Sequence, residues 1–245
     1  MAVRLGIDIG GSGIKGAPVD LESGALTAER VRIMTPRPSH PEAVAGVVRR
    51  VVDAFPDVTG AIGCTFPAIV LDGRINSAAN VDRSWIGTDA DRLFSQACQR
   101  PVSVVNDADA AGVAEARVGA AAGRTGVVIV LTLGTGIGSA LLHDGHLMPN
   151  TELGHLELQG RVVEKGASNR ARKTEKLSFD VWTGRLNAYL AHLERIFSPD
   201  LFVIGGGISK RFGKFGPMLR ARAEIVPAAL RNDAGIVGAA IWAGR

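Results

Sequence analysis

Gly6-Ile7-Asp8-Ile9-Gly10-Gly11-Ser12-Gly13-Ile14-Lys15, close to the start of the chain, has a counterpart in its middle: Leu131-Thr132-Leu133-Gly134-Thr135-Gly136-Ile137-Gly138-Ser139. Val3 to Ile9 alternates and is rich in Val, Leu and Ile, so it reads as a strand. Gly10 to Gly13 is a tight turn, and Ile14 to Val19 returns as a second strand. Val127 to Leu133 is strongly apolar, Gly134 to Gly138 turns, and Ser139 to His143 returns, with a hairpin signal at Asp144-Gly145. A chain that opens its two halves in the same way predicts two similar α/β lobes. Each would be led by a glycine hairpin, with a ligand cleft between the lobes.

The rest of the chain fits around these openings. Ala28 to Met34 reads as a third strand. Pro36, Pro38 and Pro41 then break the chain, and Pro41 suits the first turn of a helix running to about Phe55. Ala61 to Cys64 and Val102 to Val105 are short strands of buried type. Asp109 to Val118 is helical, with Asp109 as N-cap and Gly119 as stop. Ser178 to Phe197 carries apolar residues at helical spacing, and Leu201 to Ile204 is a strand ending in Gly205-Gly206-Gly207. Gly235 to Trp242 is a small-residue helix. The expected division is an N-terminal α/β lobe over 1–108, with 235–245 packing back on it, and a C-terminal α/β lobe over 109–234.

Composition bounds the function. The chain has 245 residues, 46% hydrophobic and 21% charged, which is a soluble globular balance. It holds no apolar run of about 18 residues, which excludes a spanning helix, and its first residues lack a signal-peptide layout, so a cytoplasmic protein is expected. Cys64 and Cys98 stand in no metal-type spacing and read as buried thiols. Charge is uneven: Arg161 to Arg231 carries 14 Lys or Arg against 6 Asp or Glu, a local +8, while the remainder carries 14 against 18. That excess is either a solvated face or a surface for an anionic partner. Nucleic acid is disfavoured, because aromatics make up only 5% and no zinc finger or recognition helix is visible.

The glycine turns carry the first chemistry. Gly11-x-Gly13-x-x-Gly16 has the spacing of a dinucleotide fingerprint, but that motif needs a following helix, and Ala17-Pro18-Val19 reads as strand. No Walker A sequence occurs. One such turn is equally an ordinary hairpin; two of them on strand ends favour phosphate cradles, whose backbone N–H groups point at an anion. Asp8 could hold a magnesium ion directly or through water, and Lys15 could reach a phosphate oxygen. Asn106-Asp107 ends a strand, where open α/β sheets bind ligands. Asp107 could take a proton there and Asn106 could bind a diol; the alternative is a turn and cap pair. Glu152 and His155, three apart, share one face of a helical turn. Two ligands are too few for a zinc site. Gly205-Gly206-Gly207 is either a close-packing device or a donor contact.

Asp8-Ile9-Gly10-Gly11-Ser12-Gly13-Ile14-Lys15, Asn106-Asp107, Gly134-Thr135-Gly136-Ile137-Gly138 and Glu152-Leu153-Gly154-His155 together resemble the sugar kinases of the ROK family. Within it, Glu152 to Leu158, Phe197 to Arg211 and Val226 to Asn232 look most like the branch containing the actinobacterial polyphosphate glucokinases. The resemblance implies an α/β, two-lobed, actin-like (ribonuclease H-like) ATPase fold. It implies phosphoryl transfer to the 6-hydroxyl of glucose, or of mannose, with Asp107 as base, Mg2+ as cofactor, and polyphosphate or ATP as donor. It assigns sugar contacts to Asn80, Asn106, Asp107, Glu152 and His155. Donor contacts fall to Asp8, Gly10, Gly11, Ser12, Gly13, Lys15, Gly134, Thr135, Gly136, Gly206, Gly207 and Lys210. It also implies a homodimer and neither nucleic-acid nor membrane partners. Most of the family follows the His with a cysteine-rich zinc segment. This chain has Gly160 to Arg170 with no cysteine, so no structural zinc is expected, and the sugar contact that follows that segment has no assigned residue. Two other functions stay in view: an ATP-only hexose or amino-sugar kinase, and a non-catalytic sugar-sensing protein. Sensors of the family carry a helix-turn-helix ahead of the kinase-like part, whereas this sequence begins at the first strand.

Overall fold

The first twenty residues form a hairpin that belongs to a five-stranded sheet. Strands β1 (Val3–Gly10), β2 (Gly13–Asp20) and β3 (Val31–Ile33) pair antiparallel. The chain then enters helix α1 (Pro41–Asp53), with Pro41 in its first turn and Val44, Val47, Val48, Val51 and Val52 buried along one stripe. Strand β4 (Ile62–Phe66) lies parallel to β1, and a small ribbon of β5 (Val70–Leu71) and β6 (Arg74–Ile75) follows. Helix α2 (Ala90–Cys98) leads to β7 (Val102–Asn106), parallel to β4, and into helix α3 (Asp107–Val118). The sheet order is β3-β2-β1-β4-β7.

The second half repeats this plan. Strands β8 (Val127–Leu133), β9 (Ile137–His143) and β10 (His146–Met148) form an antiparallel meander, with Asp144 and Gly145 in left-handed conformation at the last turn. After the ribbon of β11 (Glu157–Leu158) and β12 (Arg161–Val162) come three helices, α4 (Glu164–Ala167), α5 (Asn169–Thr174) and α6 (Phe179–Phe197). Strand β13 (Leu201–Gly205) is parallel to β8, and helix α7 (Phe212–Phe215) precedes β14 (Glu224–Pro227). The order β10-β9-β8-β13-β14 has the same connectivity and strand directions as the first sheet. The chain closes with helix α8 (Ala234–Trp242).

The computed structural model describes residues 2–78 and 81–244. It divides into two units, Met1–Ala114 with Asp233–Arg245, and Glu115–Asn232, so the chain passes between units inside α3. The first unit buries Leu5, Ile7, Phe66, Trp85 and Phe94 with the valines of α1. The second buries Ile129, Leu131, Phe202 and Ile204 under Trp182, Leu186, Tyr189 and Leu190 of α6. Helix α8 lies against β1 and β4 at backbone distance: a methyl on Gly6 would meet the Ile236 carbonyl, and one on Gly63 the Ala239 carbonyl. Part of the glycine excess is therefore a packing requirement of this helix.

The structure alters three sequence readings. Helix α3 begins at Asp107 because Asn106 caps it: Asn106 Oδ1 accepts the N–H groups of Ala108 (2.8 Å) and Asp109 (3.1 Å). Asp109 is not the cap but a buried residue of the first turn. The second glycine turn is shorter than its sequence suggested, with strand resuming at Ile137. The third strand contracts to three residues.

Candidate active site

The first unit places Asp8 and Lys15 directly opposite each other across the β1–β2 hairpin. Asp8 Oδ2 lies 3.3 Å from Lys15 Nζ. Asp8 Oδ1 accepts a 2.9 Å bond from Thr65 Oγ1 of β4, and that hydroxyl in turn accepts the Ile9 N–H at 3.2 Å. The carboxylate is therefore oriented by a neighbouring strand and balanced by one cation. Asn106 ends β7 and is buried; its Nδ2 donates to the Ala68 carbonyl at 3.0 Å while its oxygen caps α3. The asparagine spends most of its hydrogen-bonding capacity on the backbone, leaving one N–H. Asp107, the next residue, is exposed, and its Oδ1 accepts the Ala108 N–H at 2.9 Å. Asn80 lies outside the described residues.

The second unit gathers three further groups. Glu152 and His155 flank a single 3-10 turn (Leu153–His155), with His155 Nδ1 3.6 Å from Glu152 Oε2. The other ring nitrogen of His155 lies 3.7 Å from Glu164 Oε1 of α4. Glu164 Oε2 accepts the Ile137 N–H at 3.2 Å, and its carboxyl group fills the space that a side chain at Gly136 would need. Burial pushes the Glu152 carboxyl above its ordinary pKa; His155 opposes the rise and Glu164 adds to it. The sequence singles out Glu152 and His155 as candidates but not Glu164, which the structure brings beside them. No motif marks that glutamate, and only the fold of β12 and α4 returns it to His155. Among the described residues no group of three or more His, Cys, Asp or Glu is arranged to hold a metal ion.

The glycines of the expected donor loops fall into two kinds. Gly206 adopts φ +79°, and a side chain there would run into the backbone of Leu133, so the fold itself requires glycine. Gly11, Gly134 and Gly207 have no left-handed conformation, and a methyl on each would meet nothing within 4 Å. Neither packing nor backbone geometry demands glycine at those three places. What glycine does leave there is open backbone that a ligand can approach closely.

Residues 4–168 match the ROK family, and the chain belongs to that family. It is 47% identical over 237 residues to the polyphosphate glucokinase of Mycobacterium tuberculosis, covering 96% of this chain and 89% of that one. It superposes on the crystal structure of the inorganic polyphosphate/ATP-glucomannokinase of Arthrobacter sp. strain KM with a TM-score of 0.92 and 55% identity, each chain covered to 98%. A ROK glucokinase of Streptomyces griseus, solved with glucose and AMPPNP, gives a TM-score of 0.81 at 26% identity, covering 98% of this chain and 99% of that one. The fold is thus the actin-like ATPase fold of the ROK sugar kinases.

Proposed function

We propose that the chain is a hexokinase that moves the terminal phosphoryl group of inorganic polyphosphate, or of ATP, to the 6-hydroxyl of glucose, with mannose as a second acceptor. The observation that carries this reading is the exposed Asp107 carboxylate beyond the end of β7, held in the first turn of a helix that the Asn106 side chain caps. The resemblance to polyphosphate-using glucokinases across nearly the whole chain supports the choice of substrates.

The mechanism follows from the groups present. Asp107 takes the proton from the sugar O6 as that oxygen attacks phosphorus, and the bond to the shortened polyphosphate or to ADP breaks. Glu152 and His155 bind ring hydroxyls, with Glu164 as a third sugar contact; a carboxylate accepts and an imidazole N–H donates, which suits a diol. Asn106 contributes its remaining N–H. The turns at Gly10–Gly13 and Gly134–Gly136, with Gly207 and Lys210, receive the donor phosphates. Mg2+ fits Asp8 as a partner held through its water shell: the site offers one carboxylate, already oriented by Thr65, and magnesium characteristically keeps several waters beside one or two carboxylates and the phosphates. When bound it neutralises charge on the transferring group.

A homodimer in the cytoplasm is part of the reading, and light scattering of the purified protein checks the dimer. The decisive experiment supplies glucose and Mg2+ with ATP or with polyphosphate and detects glucose 6-phosphate. Formation with both donors is expected. Turnover with ATP alone would return the chain to the ATP-only hexokinases, and no turnover with either would sink the catalytic reading. Glu152→Ala and His155→Ala should each weaken sugar affinity more than donor affinity. Stoichiometric zinc lost on His155→Ala would show the assignment to be wrong.

A further inference from the structure

The +8 excess of Arg161 to Arg231 is not one surface, because the structure withdraws several of its cations. Arg161 and Arg185 both close on the carboxylate of Glu175, at 3.0 and 2.7 Å. Arg172 lies over the rings of Phe179 and Trp182, 4.8 and 5.9 Å from their centroids. Arg220 spends its guanidinium on the carbonyls of Pro217 and Leu219. Arg170 and Lys173 on α5, and Lys210, Arg211 and Lys214 on the Gly207–Arg211 turn and α7, remain exposed. None of these five has a carboxylate within 4 Å among the described residues.

These free cations sit on two arms fixed to the same place. One aromatic block joins the arms: Arg172 of α5 covers Phe179, Phe179 stacks on Phe215 at 5.9 Å, and Phe212 meets Phe215 edge-on at 5.4 Å. Each arm is also tied to the second glycine turn. The Arg170 N–H donates to the Gly134 carbonyl at 3.0 Å, and Gly206, which leads into the other arm, presses on Leu133. The second hairpin therefore meets, at Leu133 and Gly134, both arms that carry the unpaired positive charge.

We propose that these two arms form a track for the distal phosphates of a long inorganic polyphosphate, beyond the units that the glycine turn itself receives. The proposal rests on the reading of polyphosphate as a donor. A nucleotide has charge on its three phosphates only, whereas polyphosphate repeats a charge at every unit and needs cations spaced along its length. Side chains already neutralised by Glu175 would add little, so the five unpaired cations carried by the two arms are the ones that matter here.

The test is the double substitution Lys173→Gln/Lys214→Gln in the full chain, one position on each arm and neither in the turn. Initial rates are measured with long-chain polyphosphate, inorganic tripolyphosphate and ATP over a range of salt. The expected result is a KM for long polyphosphate raised about fivefold relative to those for tripolyphosphate and ATP, the sum of two exposed ionic contacts. The slope of log KM against log salt for the long chain should become shallower by roughly 1 to 2. Equal changes for all three donors, or none for any, would overturn the track while leaving polyphosphate as a donor. A wild-type protein inactive with any polyphosphate but active with ATP would remove the donor reading and the track together.

Discussion

The two glycine turns share a topology and differ in chemistry. The turn of the first unit carries its own charges: Asp8 and Lys15 face each other two residue pairs from the tip, braced by Thr65. Two residues before the first glycine of the second turn, as Asp8 is before Gly10, stands Thr132, opposite Gly138 and one pair from the tip; the acid near that tip is Glu164, from α4. The duplicated hairpin thus supplies a backbone platform, and the charges placed on it are independent of the duplication. The first turn has a carboxylate and a cation on its own strands; the second has neither on its strands and meets the two basic arms through its backbone.

The sharpest break in this comparison comes from catalysis. Asp107→Asn should cut kcat by a hundredfold to ten-thousandfold while the fold and sugar binding persist; a variant retaining more than a tenth of wild-type kcat would show the base to be another group. Next are the neighbouring glycines of the third loop. Gly206→Ala should cost ~2–3 kcal/mol and lower Tm by ~5–10 °C, through a forbidden φ and collision with Leu133. Gly207→Ala should leave Tm within about 2 °C and instead raise donor KM, and equal melting losses would erase the distinction between the two kinds of glycine. The asymmetry of the turns is tested by Asp8→Asn against Thr132→Val. The first should raise the Mg2+ needed for half-maximal rate on the order of tenfold, the second hardly at all.

The smallest effect is thermodynamic. Glu152 has its pKa raised in the folded protein, so folding disfavours its charged form. The uncharged state costs nothing below the ordinary glutamate range, and stability is lost as pH rises through the raised value. Glu152→Gln should therefore raise Tm by ~1–3 °C at pH 8 and give no gain near pH 4, at the expense of sugar affinity. A gain that did not change with pH would point to packing rather than ionisation.

Much of this was legible in the sequence for identifiable reasons. The β1–β2 and β8–β9 hairpins announced themselves because an alternating run and a strongly apolar run each lead into a glycine turn, and α1 because a valine stripe follows Pro41. The start of α3 was misplaced by two residues: Asp109 is as good a cap by type as Asn106, and only the bonds of the Asn106 amide choose between them. Helix α2 went unread, since its nine residues bury only Ala90, Phe94 and Cys98. Residues 150–176 were opaque because short helices and two-residue strands have no period to detect. Glu164, and the sorting of free cations from those held by Glu175, were hidden there for that reason. Each depends on which side chains meet across breaks in the chain.

The docking of α8 has a consequence for how the protein is made. Glycines of β1 and β4 lie flush against a helix formed by residues 234–242, so the first unit cannot complete its core until the last stretch of this sequence has been synthesised. Glu115–Asn232 is one uninterrupted run and has everything it needs earlier. On a ribosome the later-encoded unit is the one able to finish first, while the opening strands wait with one face uncovered. Contacts between the two ends of the chain are also those whose closure is slowest.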